Sequence, residues 1–184
     1  MSSRSFLFLL ASARADGNTE LLTARAAANL PAGTAQRWIR LADARLAVYE
    51  DLRHLEVPRE RAPADNEKLL LEATLAATDI VIASPLYWYS VSASAKLYLD
   101  HWSGWLRVGE PGSFRARMRE KTLWGVSVYS GEDPSDADPL LGTLQKSAEY
   151  FSMRWGGLLL GQGNRPADVL EDSASLARAK VFFE

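Results

Sequence analysis

The sequence predicts an α/β fold in which a five-stranded parallel sheet is covered by helices on both faces. Two kinds of apolar segment alternate along the chain. Short continuous apolar runs are typical of strands that are buried on both faces, and they occupy 6–11, 38–41, 79–83, 122–129 and 158–160. Between them, apolar residues recur every three or four positions, as on one face of a helix. Right-handed crossovers between such elements give a doubly wound sheet.

Helical spacing predicts five helices, at 19–29, 66–78, 92–102, 138–155 and 176–183. Asp138 followed by Pro139 is typical of an N-cap and a first helical residue. Two long connections, 42–65 and 103–121, contain proline, glycine and charged residues and are predicted to be loops. No repeat or linker divides the 184 residues, so the chain is predicted to form one domain.

Composition excludes several classes of function. The chain has 21 basic and 23 acidic residues, a net charge of −2, so nothing favours a nucleic-acid partner. There are no cysteines and only two histidines, which argues against disulfides, iron–sulfur clusters and a metal site. The apolar run near the start is too short to span a membrane. We therefore expect a soluble, cytoplasmic protein with no membrane partner.

A polar loop follows the first predicted strand, at the sheet edge where open parallel sheets bind ligands. It reads Ser12-Ala13-Arg14-Ala15-Asp16-Gly17-Asn18-Thr19 and leads into a helix. Hydroxyls, an amide, a guanidinium and the positive end of the helix would meet there, which suits a terminal phosphate. Helix capping alone also explains Ser, Asn and Thr at such a place, so both interpretations stay open. Neither the dinucleotide-binding glycine fingerprint nor the Walker A pattern is present.

Three consecutive aromatic residues, Tyr87, Trp88 and Tyr89, follow the third predicted strand. Aromatic side chains in a loop could line a groove that stacks a flat ring. A hydrophobic plug or a subunit contact is the alternative. Ser130 and Gly131 follow the fourth strand and by themselves indicate only a turn. They become a third candidate segment because they lie at the same edge of the sheet.

These motifs resemble those of the flavodoxin-like NAD(P)H-dependent FMN reductases and NAD(P)H quinone oxidoreductases. The loop 12–19 resembles their phosphate loop, and 85–91 followed by 95–101 resembles their flavin-ring loop and helix. Ser92 stands where proline is common in that family, and His101 where arginine is common. The resemblance implies a flavodoxin-like three-layer sandwich with sheet order 2-1-3-4-5. It makes 1–184 a single FMN-binding domain.

The resemblance also implies that the chain binds FMN without a covalent bond. Its phosphate would be held by Ser12, Arg14, Asn18 and Thr19. The ring loop would contribute Pro85, Leu86, Tyr87, Trp88, Tyr89 and Ser90, and the third loop Ser130 and Gly131. Hydride would pass from NADPH or NADH through flavin N5 to a small-molecule electron acceptor, such as a quinone or a flavin. No protein side chain is assigned a catalytic role, and no metal is expected.

Two other functions stay open at this stage, a flavodoxin-like electron carrier and a flavin-free scaffold or regulatory protein. Carrier flavodoxins are strongly acidic and have Ser/Thr-rich phosphate loops, whereas this chain is near neutral and has Arg14 in that loop. Tyr87, Trp88, Tyr89, Trp102 and Trp105 exceed what a monomer leaves exposed around one cleft. We therefore expect a homodimer with the cofactor near its interface.

Overall fold

Five strands form one parallel sheet in the computed structural model, which describes residues 4–51, 63–108 and 113–184. The strands are β1 (Ser5–Leu10), β2 (Ala35–Arg40), β3 (Asp79–Ala83), β4 (Thr122–Tyr129) and β5 (Arg154–Gln162). Their order in the sheet is β2-β1-β3-β4-β5. This order confirms the one implied by the family resemblance, and the bounds of β3 and β4 agree with the predicted runs.

Six α-helices lie on the two faces of the sheet in the described part of the chain. They are α1 (Asn18–Ala27), α2 (Asp65–Ala76), α3 (Ala93–Trp105), α4 (Ser113–Arg119), α5 (Asp138–Tyr150) and α6 (Ser173–Ala179). One apolar core joins α1 and α6 to the sheet, through Phe8, Leu22 and Val126. The other core joins four helices, α2, α3, α4 and α5, to the opposite face of the sheet. Leu9 and Leu144 are among its residues. The three-layer α/β sandwich is therefore confirmed.

Helix α4 corrects the prediction that 103–121 is a loop. Phe114 and Met118 are four residues apart, so they lie on the same face of one helical turn. Both are buried in the core beneath α3, and each contributes roughly 1.5–3 kcal/mol by leaving water. The prediction of a loop rests on the glycines and the proline in 103–121, all of which precede Ser113, the first residue of α4. The burial of Phe114 and Met118 therefore decides the structure of the segment that follows the glycines and the proline.

Strand β5 is longer than predicted, and it includes Trp155, which was assigned to the preceding helix. The helix ends at Tyr150, and β5 starts at Arg154. Two glycines, Gly156 and Gly157, lie near the start of this strand. Gly156 is required by packing, because a Cβ there would lie 2.3 Å from two ring atoms of Trp124. The glycines mark a close approach between β5 and a β4 side chain, not a chain break.

The predicted cap of α5 is shifted by one residue. Asp138 is the first residue of the helix, and its N-cap is Ala137, which has no side chain that can accept a hydrogen bond. A 3₁₀ segment, Pro134–Ala137, runs directly into α5. Asp133 caps that segment by accepting a hydrogen bond from the Ser135 N–H at 2.9 Å. Asp133 therefore caps the continuous helical segment that starts at Pro134, five residues before the predicted N-cap, Asp138.

His101 is buried in α3 and supports the fold, as expected of a histidine far from any nucleophile. Its Nδ1 lies 3.2 Å from Glu67 Oε1, and its Nε2 lies 2.9 Å from the Ala47 carbonyl. Asn66 Nδ2 donates to the Arg45 carbonyl at 3.0 Å. The described start of the connection 42–65 is thus fastened to α2 and α3. The other histidine, His54, lies outside the described residues, and no described helix could cross a membrane.

Candidate functional site

The loops that follow β1, β3 and β4 begin side by side at the edge where the parallel strands end. We call this the carboxyl edge, and the opposite one the amino edge. The Ala11 N–H donates to the Ala83 carbonyl at 2.9 Å, and Ser94 Oγ donates to the Ala11 carbonyl at 3.1 Å. The Leu86 N–H donates to Val128 at 3.3 Å. The three candidate segments therefore share one edge, as the sequence predicts.

The anion loop, residues 12–19, places free donors at the start of α1. Gly17 is the N-cap of this helix and has no side chain to cap it. The first helical hydrogen bond runs from the Leu21 N–H to the Gly17 carbonyl at 3.0 Å. The N–H groups of Asn18 and Thr19 and the Thr19 hydroxyl have no acceptor or partner in the described part of the chain. This arrangement suits an anion.

The remaining side chains of the anion loop have different surroundings. Ser12 Oγ accepts a hydrogen bond from the Arg14 N–H at 3.1 Å, which shapes the turn. The Arg14 side chain is exposed. Asn18 Nδ2 donates to the Arg165 carbonyl at 2.9 Å, and Asn18 Oδ1 accepts from the Val169 N–H at 3.4 Å. Asn18 thus fastens the segment after β5 to the anion loop, a role that no local sequence signal reveals.

Two residues near the anion loop were missed by the sequence analysis. Glu20 Oε2 accepts a hydrogen bond from the Asp16 N–H at 2.9 Å. Arg40, the last residue of β2, pairs with the Glu20 carboxylate at 2.7 Å. Glu20 stands three residues after Gly17, the spacing of a capping box, and this signal could have found it. Arg40 could be found only by aligning the end of β2 with that of β1.

The aromatic turn, residues 87–90, holds its aromatic side chains out from the carboxyl edge. The N–H and carbonyl groups of Tyr87 and Ser90 exchange hydrogen bonds of 3.0 and 3.1 Å. Between them, Trp88 and Tyr89 have φ angles of 49° and 62°. A turn with two left-handed residues normally carries Asn and Gly there, because larger side chains are strained. Such strain is concentrated at functional sites.

The base of the aromatic turn is fixed while its tip is exposed. Ser84 Oγ accepts a hydrogen bond from the Ser92 N–H at 2.8 Å, which closes the loop around Pro85. Ser92 then caps α3 by accepting a bond from the Ala95 N–H at 3.3 Å. In contrast, the Trp88 side chain is 93% exposed. The closed base and the exposed tip present a rigid aromatic platform. Trp88 therefore forms neither a hydrophobic plug nor part of the core.

The third candidate segment, Ser130 and Gly131, is joined to the end of β5. Gln162 Nε2 donates to the Gly131 carbonyl at 2.7 Å, and the Gly163 N–H donates to Tyr129 at 2.9 Å. Ser130 borders a cleft of about 500 Å³ that also contains Asp168, Glu171 and Asp172. Burial raises the pKa of Asp172, but hydrogen bonds from Ser175 and Gln162 lower it by more than burial raises it. The pKa of Asp172 is therefore below its usual value.

The predicted site residues therefore lie on one edge, but two of the predicted aromatic residues do not. Trp102 and Trp105 are buried in α3, at 2% and 0% exposure. They pack against Tyr98 in the core and do not border the site. Among the described residues, no group of three or more His, Cys, Asp or Glu side chains could hold a metal ion.

The chain is similar to known proteins over almost its whole length. The family model described as a flavodoxin-like fold matches residues 4–181. YwqN of Bacillus subtilis (strain 168), which is named as an NAD(P)H-dependent FMN-containing oxidoreductase, is 30% identical over 166 residues, covering 90% of this chain and 89% of YwqN.

Two solved structures share the fold. The Trp repressor binding protein from Bacillus subtilis has a TM-score of 0.77 and 24% identity, with 97% of both chains covered. An FMN-dependent NADH-azoreductase from Bacillus anthracis (strain Ames Ancestor), in complex with FMN, has a TM-score of 0.64 and 13% identity. It covers 97% of this chain and 96% of its own.

Proposed function

We propose, from the premise that the chain belongs to the flavodoxin-like fold family, that it is an FMN-dependent NAD(P)H oxidoreductase. One observation carries the proposal. An uncapped anion loop and a strained aromatic turn start from adjacent strands at the same sheet edge. The similarity to YwqN, over nine-tenths of both chains, supports the same activity class.

The anion loop fits the phosphate of FMN. The unpaired N–H groups of Asn18 and Thr19 and the positive end of α1 favour a dianion at this place. The free Thr19 hydroxyl and the exposed Arg14 guanidinium would complete the set of donors. Ser12 shapes the turn through its bond to the Arg14 N–H and can still donate its own hydroxyl proton.

The aromatic turn fits the flat ring of the same cofactor. Trp88 and Tyr89 make no backbone hydrogen bond through their N–H groups within the described residues, so both can donate to polar ring-edge atoms. Pro85, Leu86 and Tyr87 would flank the ring, with Ser90 closing the turn. Bound FMN would supply hydride transfer between a nicotinamide nucleotide and an acceptor. The protein would bind, orient and partly shield it from water.

The acceptor is proposed to be a small flat molecule, such as a quinone or a flavin. The indole of Trp88 and the phenol of Tyr89 are 93% and 54% exposed beside the site, and exposed aromatic faces favour stacking with planar molecules. The same exposure supports a homodimer that covers this turn, because isolated apolar surfaces of this kind mark contact sites. Trp102 and Trp105 no longer support that proposal. A cytoplasmic location also remains a proposal.

Absorption spectroscopy and fluorescence titration test the flavin site. The purified chain is expected to show a bound-flavin spectrum, or to quench FMN fluorescence on titration of its apo form. Arg14→Ala is expected to weaken FMN affinity about tenfold through loss of a charged hydrogen bond, with little effect on riboflavin, which lacks the phosphate. Trp88→Ala is expected to weaken both. Lys146→Ala, on the exposed face of α5, is the matched control. Unchanged affinity in both site variants would favour the scaffold function.

Stopped-flow mixing distinguishes an enzyme from an electron carrier. NADH or NADPH is expected to bleach the visible absorption of the flavin-loaded protein within seconds, in roughly the range of ordinary enzyme turnover. A second mixing with a quinone or free FMN should restore it. Slow bleaching by both nucleotides, together with two separate one-electron steps in a reductive titration, would contradict the enzyme and support the carrier.

A further inference from the structure

The Glu20 carboxylate of α1 and the Arg40 guanidinium of β2 together hold the turn at Asp16, within the anion loop. Glu20 Oε2 accepts the Asp16 N–H at 2.9 Å. Arg40 Nη2 lies 2.7 Å from Glu20 Oε1 and 2.9 Å from Oε2, so it bridges both oxygens. Arg40 Nη1 also donates to the Arg14 carbonyl at 3.4 Å. The pair thus contacts the loop at two separate backbone groups.

Asp16 needs such support because its backbone is in the left-handed region, with a φ of 53°. For a residue with a side chain, this conformation costs about 1–2 kcal/mol. It directs the Asp16 N–H to Glu20 and leaves the N–H groups of Asn18 and Thr19 without acceptors. In an ordinary capping box the N-cap side chain would accept a hydrogen bond from the N–H of the third helical residue, which is Glu20 here. Gly17 has no side chain to do so, and the Glu20 carboxylate instead holds the turn through its bond with the Asp16 N–H.

The charge of Glu20 would oppose an anion if it stood alone. It lies in the first turn of α1, beside the N–H groups that are free. Its side chain is 19% exposed and that of Arg40 is 22% exposed, so water screens their fields less than at an open surface. Asp43 is the other acidic group near Arg40, but its carboxylate is 4.0 Å away and 81% exposed. Arg40 therefore mainly neutralises Glu20.

We propose that Glu20 and Arg40 are positioning residues for the anion loop: Glu20 holds the Asp16 turn, and Arg40 cancels the carboxylate charge that would repel a bound phosphate. Neither side chain needs to touch the anion itself. The inference rests on the proposed function, since it takes the anion to be the phosphate of FMN. It adds to the loop two residues that lie outside the twelve predicted ones.

A double-mutant cycle on flavin affinity tests the charge role. Arg40→Gln leaves Glu20 uncompensated and is expected to weaken FMN binding about tenfold, the scale of a charge-assisted interaction, with riboflavin binding changed less than about twofold. Adding Glu20→Gln removes the repelling charge but keeps an acceptor for the Asp16 N–H. The double variant is therefore expected to recover most of the FMN affinity. A purely structural role of Arg40 predicts that the double variant, which still lacks Arg40, recovers none of the FMN affinity.

Lys68→Gln is the matched control, because it removes one positive charge from an exposed pair on α2, with its Glu72 partner 3.9 Å away. It should leave both affinities unchanged. Equal weakening of FMN and riboflavin by Arg40→Gln, or no recovery in the double variant, would overturn the charge role. An unchanged FMN affinity in Arg40→Gln would overturn it as well.

Amide NMR provides a readout that does not depend on flavin. Glu20→Ala is expected to speed hydrogen exchange at the Asp16 N–H at least about tenfold, because exchange follows loss of the protecting acceptor. Inorganic phosphate should shift the Asn18 and Thr19 amides less in Arg40→Gln than in the unmodified chain. Unchanged exchange and unchanged phosphate shifts would overturn the inference. An unmodified chain that binds neither FMN nor riboflavin would overturn the proposed function, while these amide measurements would still decide the positioning roles.

Discussion

The two edges of the same sheet use their polar groups in opposite ways. At the amino edge, Asp79 accepts bonds from Arg4 at 2.8 Å, from Trp124 Nε1 at 2.9 Å and from Thr78 at 2.7 Å. At the carboxyl edge, the N–H groups of Asn18 and Thr19 have no protein acceptor within the described residues. One edge satisfies its donors within the protein, and the other leaves donors available to a ligand.

Strained backbone is more frequent at the carboxyl edge. Lys121 is buried at the amino edge and donates to the Leu75 and Ala77 carbonyls, which end α2. The carboxyl edge holds Asp16, Trp88 and Tyr89 in left-handed backbone conformations, and among the described non-glycine residues beside the amino edge Ser152, just before β5, has one as well. Buried polar groups are normally paired, and strained backbone is normally avoided. We infer that the amino edge is optimised for stability, whereas the carboxyl edge gives up some stability for binding.

The largest predicted loss of stability comes from Gly156→Ala, near the amino edge. The new Cβ would overlap the ring of Trp124, which cannot withdraw because its Nε1 is bonded to Asp79. We expect a loss of about 3 kcal/mol, typical of an overpacked core, measured as the free energy of unfolding in urea. Gly142→Ala, in α5, has open space and is the control. Equal stability of the two variants would show that Trp124 is free to move.

Asp79→Ala should also weaken the amino edge, without changing the site. It leaves Trp124 Nε1 without its acceptor and removes one acceptor each from Arg4 and the Thr78 hydroxyl, which keep the Phe183 and Ser5 carbonyls, at a cost of about 2 kcal/mol after allowance for the partly exposed Arg4. FMN affinity should change less than about twofold, because the described residues of the two edges share no polar contact. Asp100→Ala, on the surface of α3, is the control for charge. A large loss of FMN affinity would show that the edges are coupled.

The contribution of Asp79 should depend on pH. Burial raises its pKa, but hydrogen bonds from Arg4, Trp124 and Thr78 outweigh this effect and leave the pKa below its ordinary 3.8. The unfolded chain therefore takes up the proton first as pH falls. The stabilisation is full above the unfolded pKa and is lost as pH falls through the folded pKa. Urea unfolding of the native chain and Asp79→Ala should accordingly converge at acid pH and differ most at neutral pH.

A substitution at the carboxyl edge should have the opposite effect on stability. Trp88→Gly removes a strained, 93% exposed side chain from a left-handed position. We expect a gain of about 1 kcal/mol in the free energy of unfolding, together with weaker FMN binding. Val48→Gly, at an exposed residue without positive φ, should give no such gain. A destabilised Trp88→Gly variant would contradict the view that this turn is strained for function.

The last predicted effect is a rise in stability at alkaline pH from Lys121. Burial and the nearby Arg117 charge together lower its pKa from 10.5 to about 8, although Glu120 opposes the change. Between these two values the unfolded chain binds more protons than the folded one, so the stability contributed by this residue rises with pH. Urea midpoints of the native chain and Lys121→Met should show a difference that changes between about pH 8 and about pH 10. Parallel curves would show that Lys121 titrates normally.

The sequence alone predicted the sheet and the edge at which the three candidate segments meet. Continuous apolar runs at 79–83 and 122–129 predicted β3 and β4, because strands covered on both faces have no polar side to alternate. Polar or aromatic segments after β1, β3 and β4 predicted a shared site, because parallel strands all end at one edge. Both inferences depend on the residue types within each segment and on the order of the segments. The sequence of a single chain contains both kinds of information.

Only the tertiary structure decided how the site is held. Glu20 and Arg40 are 20 residues apart, and Asn18 meets Arg165 across 147 residues. Helix α4 forms in a segment where glycine and proline residues predicted a loop, because Phe114 and Met118 are buried in a core that other elements form. The left-handed turn at Trp88 and Tyr89 has no glycine or asparagine to announce it. Such features arise from contacts between distant elements, and their energies exist only once the sheet has brought the partners together.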